Sequence, residues 1–219
     1  DQCMHKSPFL CAAALLAAAL VFAPGVASSQ TPSVGQNDPS TAEGTLFTRA
    51  LRQASGGELF GCGIEFATVA RDFATRRGER VVLNGSFNIM KLDQHGIGYS
   101  LKLGVFPLVA NAKPEAPALG YVRAPRSAPP PSSRRSPAEA PGYALFMGPG
   151  GKEVLAIIDA LLGEGIVEIG FNRKAGQIDV TAVLDLAVED IRGANGAAER
   201  IRSRKTQSEL SECIGQLVR

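Results

Sequence analysis

The side chains able to do acid–base or nucleophilic chemistry are few, and their spacing narrows them further. The chain has two histidines, His5 and His95. His5 falls in a predicted export signal, so multi-histidine metal sites are excluded and any Ser-His-Asp system rests on His95 alone. His95 sits beside Asp93 in a predicted turn, where polar residues are favoured on conformational grounds. Glu65, Glu168, Asp179 and Asp185 alternate with apolar residues, which predicts the wet face of a sheet, and no spacing selects a catalytic pair. No GxSxG, HExxH, CxxC or EF-hand pattern is present. No catalytic residue, metal ion or cofactor is therefore expected. One candidate anion site remains, at Gly150, Gly151 and Lys152, where Gly148-Pro149-Gly150-Gly151 stands between a strand and a helix N-terminus. It lacks the Walker spacing, and no Ser or Thr follows Lys152.

Cys62 and Cys213 are the only cysteines after the first thirty residues, and the start of the chain bears on their state. Met4, His5 and Lys6 precede an uncharged run over residues 9–23, followed by Gly25, Val26, Ala27, Ser28 and Ser29. A charged start, an apolar middle and a small-residue end form a cleavable secretory signal. The 15-residue run is shorter than the roughly 20 residues a membrane-spanning helix needs. The expectation is a signal over residues 1–29, with stray residues before Met4, cleavage within 27–30 and a periplasmic or secreted location. No transmembrane span is expected after cleavage. Leu10 before Cys11 is not small, so lipidation is not expected. In an oxidising compartment, Cys62 and Cys213 are expected to join.

The formal net charge is +2, the chain has no Trp, and it has only three Tyr. That balance argues against nucleic acid and against aromatic stacking platforms. Cations nevertheless gather locally. Arg123, Arg126, Arg134 and Arg135 lie in a proline-rich stretch, and Arg200, Arg202 and Arg204 precede the last predicted helix. Cations just before a helix N-terminus oppose its dipole, so these charges are free to meet a protein, cell-envelope or anionic partner.

The elements that must position these residues follow from periodicity. Residues 30–39 read as a disordered lead. Ser40 and Glu43 have capping-box spacing, and Phe47, Ala50 and Leu51 predict a short helix ended by Gly56 and Gly57. Period-two alternation then predicts three strands, through Phe60, Cys62, Ile64 and Phe66, through Val81, Leu83, Phe87 and Ile89, and through Ile97, Tyr99, Leu101, Leu103 and Val105. Residues 110–141 hold eight of the fourteen prolines and read as a Pro/Arg-rich disordered insertion. Tyr143, Leu145 and Met147 form a strand, and Val154, Leu155, Ile157, Ile158, Leu161 and Leu162 form a helix capped by Gly163. A hairpin follows through Val167, Ile169 and Phe171 and through Ile178, Val180, Ala182, Leu184 and Leu186. After a polar stretch, Thr206 and Glu209 have capping-box spacing before a helix with Leu210, Cys213, Ile214 and Leu217 inward.

The predicted fold is α+β, a single domain over residues 40–219. It is a mainly antiparallel sheet of about six strands, with one long helix packed on it and a disulfide-tethered C-terminal helix. The segment from Gly78 to Asn88 resembles that from Gly163 to Asn172, which suggests a duplicated strand, connection and hairpin unit. The functional expectation is an exported, non-enzymatic binding protein. Its alternatives are a small carboxylate-dependent hydrolase and a carrier of a small apolar ligand under Ile157 and Leu161.

Overall fold

The computed structural model describes residues 43–92, 96–108, 113–131, 134–194 and 197–219. The predicted signal, the lead, Ser40 and His95 lie outside these residues. In chain order the elements are β1 (Gly44–Ser55), β2 (Glu58–Asp72), β3 (Glu79–Leu92), β4 (Gly96–Pro107), β5 (Leu119–Arg123), β6 (Arg134–Pro137), β7 (Tyr143–Pro149), α1 (Lys152–Leu162), β8 (Ile166–Asn172), β9 (Val180–Asp185), β10 (Val188–Ala194), β11 (Ala197–Arg202) and α2 (Lys205–Leu217). They form a six-stranded sheet in the order β1-β2-β3-β4-β7-β6, a three-stranded sheet β5-β8-β9 and the hairpin β10-β11. Every pairing is antiparallel.

Alternation sets which face is buried. Ile64, Phe87, Leu101 and Phe146 stand in register across four strands, and all four are buried. They pack in one core with Val122 of β5, with Val167, Ile169 and Phe171 of β8 and with Val180, Ala182 and Leu184 of β9. Val154, Ile157 and Leu161 of α1 and Leu210, Cys213, Ile214 and Leu217 of α2 complete it. The six-stranded sheet is thus covered on one face by the smaller sheet and both helices. Each large side chain removed from water here contributes roughly 2 kcal/mol. Among the described residues, no helix is long and apolar enough to cross a membrane.

The edge of β9 lies against β1 and β2, and buried threonines satisfy its backbone. Asp185 N–H donates to Thr45 Oγ1 at 2.8 Å, and Thr68 Oγ1 donates to the Val183 carbonyl at 3.1 Å. Thr48 Oγ1 reaches the Val188 carbonyl at 2.8 Å. Buried backbone groups require partners, and at this seam hydroxyls supply what a strand ladder would. The disulfide joins Cys62 of β2 to Cys213 of α2 as expected, with Cα atoms 5.8 Å apart and both residues fully buried.

Several expectations are corrected. Residues 44–55 are a strand, not a helix. Phe47, Ala50 and Leu51 have helical spacing, but β1 carries register shifts at Thr45/Phe47 and Gln53/Ala54, and as a sheet-edge strand it points Thr48 inward. Gly56 and Gly57, with φ of +60° and +88°, form the two-residue turn of a hairpin closed by Ser55 and Glu58. The segment 110–141 supplies β5 and β6, one strand to each large sheet, because Tyr121 and Val122 bury themselves and β8 and β7 offer ladder partners. The helix expected to be long, α1, has 11 residues against 13 in α2. Thr206 does not cap α2; its hydroxyl donates to the Thr48 carbonyl at 3.2 Å. The polar stretch after Leu186 folds as β10 and β11. Phe60, read on one face with Cys62, and Ile178 both stand out of the core and are exposed. The two segments read as a repeat are connected differently, since β2 pairs with β3 whereas β7 and β8 lie in different sheets with α1 between them.

Candidate functional site

The carboxylates singled out by sequence occupy separate places, each with its own partner. Glu65, on the outer face of the six-stranded sheet, pairs with Arg49. Asp185, at the end of β9, pairs with Arg202 at 2.8 Å. Glu168 and Asp179 share the outer face of the smaller sheet, with Tyr121 between them. Tyr121 stands opposite Gly170, where any Cβ would run into the phenol ring, so the glycine lets the ring lie across β8. The Tyr121 hydroxyl donates to Asp179 Oδ2 at 3.0 Å, and Asn172 Nδ2 donates to Asp179 Oδ1 at 2.9 Å. Arg123 donates to Glu168 at 2.6 Å and lies 5.9 Å from the Tyr121 ring centroid. Burial and the Asp179 carboxylate push the Tyr121 pKa up to about 12, which keeps the phenol a fixed donor at neutral pH.

The predicted partner-binding cations are divided in the same way. Arg123 and Arg202 are committed to ion pairs, and Arg135 Nε donates to the Pro117 carbonyl at 3.0 Å. Arg126 is exposed with φ of +62°, and Arg204 stands at the N-cap of α2. The side chains of Arg134 and Arg200 lie outside the described residues. Arg202, Arg204, Asp185, Glu164 and Gln207 line a cavity of about 420 Å³ between the end of α1 and the start of α2. Gln207 also donates to the Leu162 and Gly163 carbonyls, both at 2.8 Å, satisfying the open end of α1. At the candidate anion site, Gly150 N–H donates to the Ile97 carbonyl at 2.7 Å. The first turn of α1 carries Glu153, 4.0 Å from the exposed Lys152 ammonium, so a carboxylate already complements that helix end.

The densest charge cluster among the described residues was not visible in the sequence. It lies where the β2–β3 turn, the β8–β9 turn and the segment carrying Glu115 meet, beside a cavity of about 540 Å³ lined by Thr75, Arg76, Arg77, Glu79, Glu115 and Arg173. Asp72 ends β2 with its side chain fully buried. It accepts the Thr75 N–H at 2.8 Å and the Thr75 hydroxyl at 2.7 Å, an Asx-type turn that sets the loop. Gly78 follows at φ +86°, and its N–H donates to the Asp72 carbonyl at 2.8 Å. From the other sheet, the Arg173 guanidinium reaches Asp72, the Thr75 hydroxyl at 2.7 Å and Glu115 Oε2 at 2.5 Å. Arg76 holds the second Glu115 oxygen at 2.6 Å, and backbone bonds to Val105 fix Glu115 in place.

Burial pushes the Asp72 carboxyl up, but the Thr75 and Arg173 hydrogen bonds outweigh it and leave it below the usual range. Glu115 is also lowered, since Arg173 and Arg76 outweigh its burial. Asp72 and Glu115 therefore stay ionised at neutral pH, and the chain Asp72, Arg173, Glu115, Arg76 ties the two sheets together. Arg76 and Glu115 are 39 residues apart in sequence, and Asp72 and Arg173 are 101 apart. Only the local Asp72–Thr75 pair carried a readable signal. Comparison with protein-family models, with curated proteins and with solved structures finds no match for this chain.

Proposed function

We propose that the chain is an exported, non-enzymatic binding module that meets an anionic partner of the cell envelope through surface cations. One observation carries this reading: Glu65, Glu168, Asp179 and Asp185 each have a private cation or hydrogen-bond donor. A general acid or base needs a group with reach to substrate and a pKa near the working pH. Glu168 and Asp179 share a face, but Arg123, Tyr121 and Asn172 occupy their oxygens. The carrier alternative finds less support, because Ile157 and Leu161 are fully packed in the core and the two cavities described above are lined mainly by polar residues.

The test begins with the protein exported from its own N-terminus in a Gram-negative host. It is expected in the periplasmic fraction, starting within residues 27–30, with no free thiol under denaturing, non-reducing conditions. It is expected to bind a polyglutamate resin at low salt and to elute as salt rises. Turnover of an ester, glycoside or peptide substrate that disappears in Glu168→Gln or Asp179→Asn overturns the reading in favour of a carboxylate-dependent hydrolase.

A further inference from the structure

We infer that the end of the sandwich built around Asp72, Glu115 and Arg173 docks on an anionic lipid bilayer, with exposed apolar side chains of its three loops entering the interface and neighbouring cations meeting the headgroups. This rests on the anionic-partner reading and names the partner. Three loops meet at that end, since Arg173 joins the β2–β3 turn to the β8–β9 turn and Glu115 brings in the chain that follows β4. Leu108, just past β4, donates its N–H to the Arg80 carbonyl at 3.3 Å, so it stands at the same end.

Among the described residues, each loop carries one exposed large apolar residue. Ile178 is 81% exposed and Phe73 is 74% exposed, the two highest values for large apolar side chains among the described residues, and Leu108 is 36% exposed. Each loop also carries one exposed cation, Arg77, Lys113 or Lys174, and none of these has an acidic partner among the described residues. The acids nearby are engaged, Glu43 by Arg71, Asp72 by Arg173, Glu79 by Arg76, Glu115 by both Arg76 and Arg173, and Asp179 by Tyr121.

The arrangement selects a bilayer over a protein. A protein interface needs a contiguous, well-packed apolar centre, whereas these apolar groups sit on separate loops beside a polar cavity. A bilayer accepts separate insertions, and its anionic headgroups reward each nearby cation. The ion network also holds the three loops together before contact, which lowers the ordering cost of binding.

Flotation with vesicles tests this on the exported protein. It is expected to float with vesicles of phosphatidylglycerol and phosphatidylethanolamine, to ignore vesicles of phosphatidylcholine alone and to detach at high salt. The triple variant Arg77→Asn, Lys113→Gln, Lys174→Gln should lose roughly a hundredfold in vesicle affinity; asparagine at 77 tolerates the positive φ found there. Ile178→Ser, at a side chain outside the core, should lose several-fold while its circular dichroism stays that of the parent. The chain has no Trp, so Phe73→Trp adds a single reporter whose emission should shift to the blue on anionic vesicles. Binding that survives both sets of substitutions, or an indole emission from the Phe73→Trp variant that stays unshifted in the bound state, overturns the inference. Retention on polyglutamate without vesicle binding overturns the bilayer and leaves the anionic-partner reading standing; loss of both overturns both.

Discussion

Strand β2 runs from one end of the sandwich to the other, and its two ends are fastened by different chemistry. Near its start, Cys62 is bonded to Cys213 of α2. At its finish, Asp72 is held by Thr75 and by Arg173 from the opposite sheet. The covalent end closes with a two-residue glycine turn, Gly56-Gly57. The ionic end bears longer loops with Phe73 and Ile178 in solvent. A disulfide restrains the unfolded chain and is indifferent to salt and to moderate pH. A network of titratable groups holds only while its members are charged. The contrast assigns permanence to one end and an acid-responsive character to the other.

The largest test of that contrast removes the bond. Cys62 and Cys213 are 151 residues apart, and the chain-entropy model gives about 5 kcal/mol for closing a loop of that length. Cys62→Ala with Cys213→Ala should therefore lower the urea-derived stability by roughly that amount, a large share of the roughly 5–15 kcal/mol typical of a domain. A loss below about 1 kcal/mol would show that packing of α2 alone holds the end.

The ionic end should cost less to break and should respond to acid. Asp72→Asn removes the fully buried member of the pair with Arg173, and truncating one partner of a buried pair costs about 3 kcal/mol. Asp72 and Glu115 both titrate below their ordinary values in the folded chain. Their contribution is then complete above the unfolded-state pKa values and is lost as pH falls through the lowered folded ones, so the window lies below about pH 4. The melting temperature of the parent should drop more between about pH 4 and pH 2 than that of Asp72→Asn. Equal slopes would remove Asp72 from the acid response.

How much of each end was legible follows from the range of the interactions. The disulfide could be read because Cys62 sits in a clean alternation with Ile64 and Phe66 and Cys213 in a helical stripe with Leu210 and Leu217, so each faced inward on local grounds. Strands β2, β3, β4, β8 and β9 were legible for the same reason. β1 was not, because an edge strand with bulges and threonines inward lacks the apolar alternation that marks a strand. β5 was hidden by surrounding prolines, and only its ladder with β8 and the burial of Val122 reveal it. The β10–β11 hairpin was missed, because its polar composition was read as a loop and the Asn-Gly sequence inside it, a two-residue hairpin signal, was not used. The ion network joins residues from three loops, and no local pattern links Asp72, Glu115 and Arg173. Arginines chosen for their density, such as Arg123 and Arg202, turned out to be paired, whereas Arg77, Lys113 and Lys174, without acidic partners among the described residues, stand singly among uncharged or like-charged neighbours.

The smallest expected effect sharpens the comparison most. Cys62 and Asp72 are ten residues apart on one strand, about 33 Å at strand rise, and they share no partner among the described residues. Sites so separated add within about 0.5 kcal/mol, so the disulfide and Asp72→Asn variants should combine without coupling in a double-mutant cycle. The summed loss of roughly 8 kcal/mol approaches the whole stability of an ordinary domain. All corners of the cycle are therefore best measured in sucrose, which favours the compact state through its exclusion from protein surface. A coupling above about 1 kcal/mol would mean that β2 transmits strain between its ends. The two fastenings would then act as one, and the responsive end could not loosen without drawing on the permanent one.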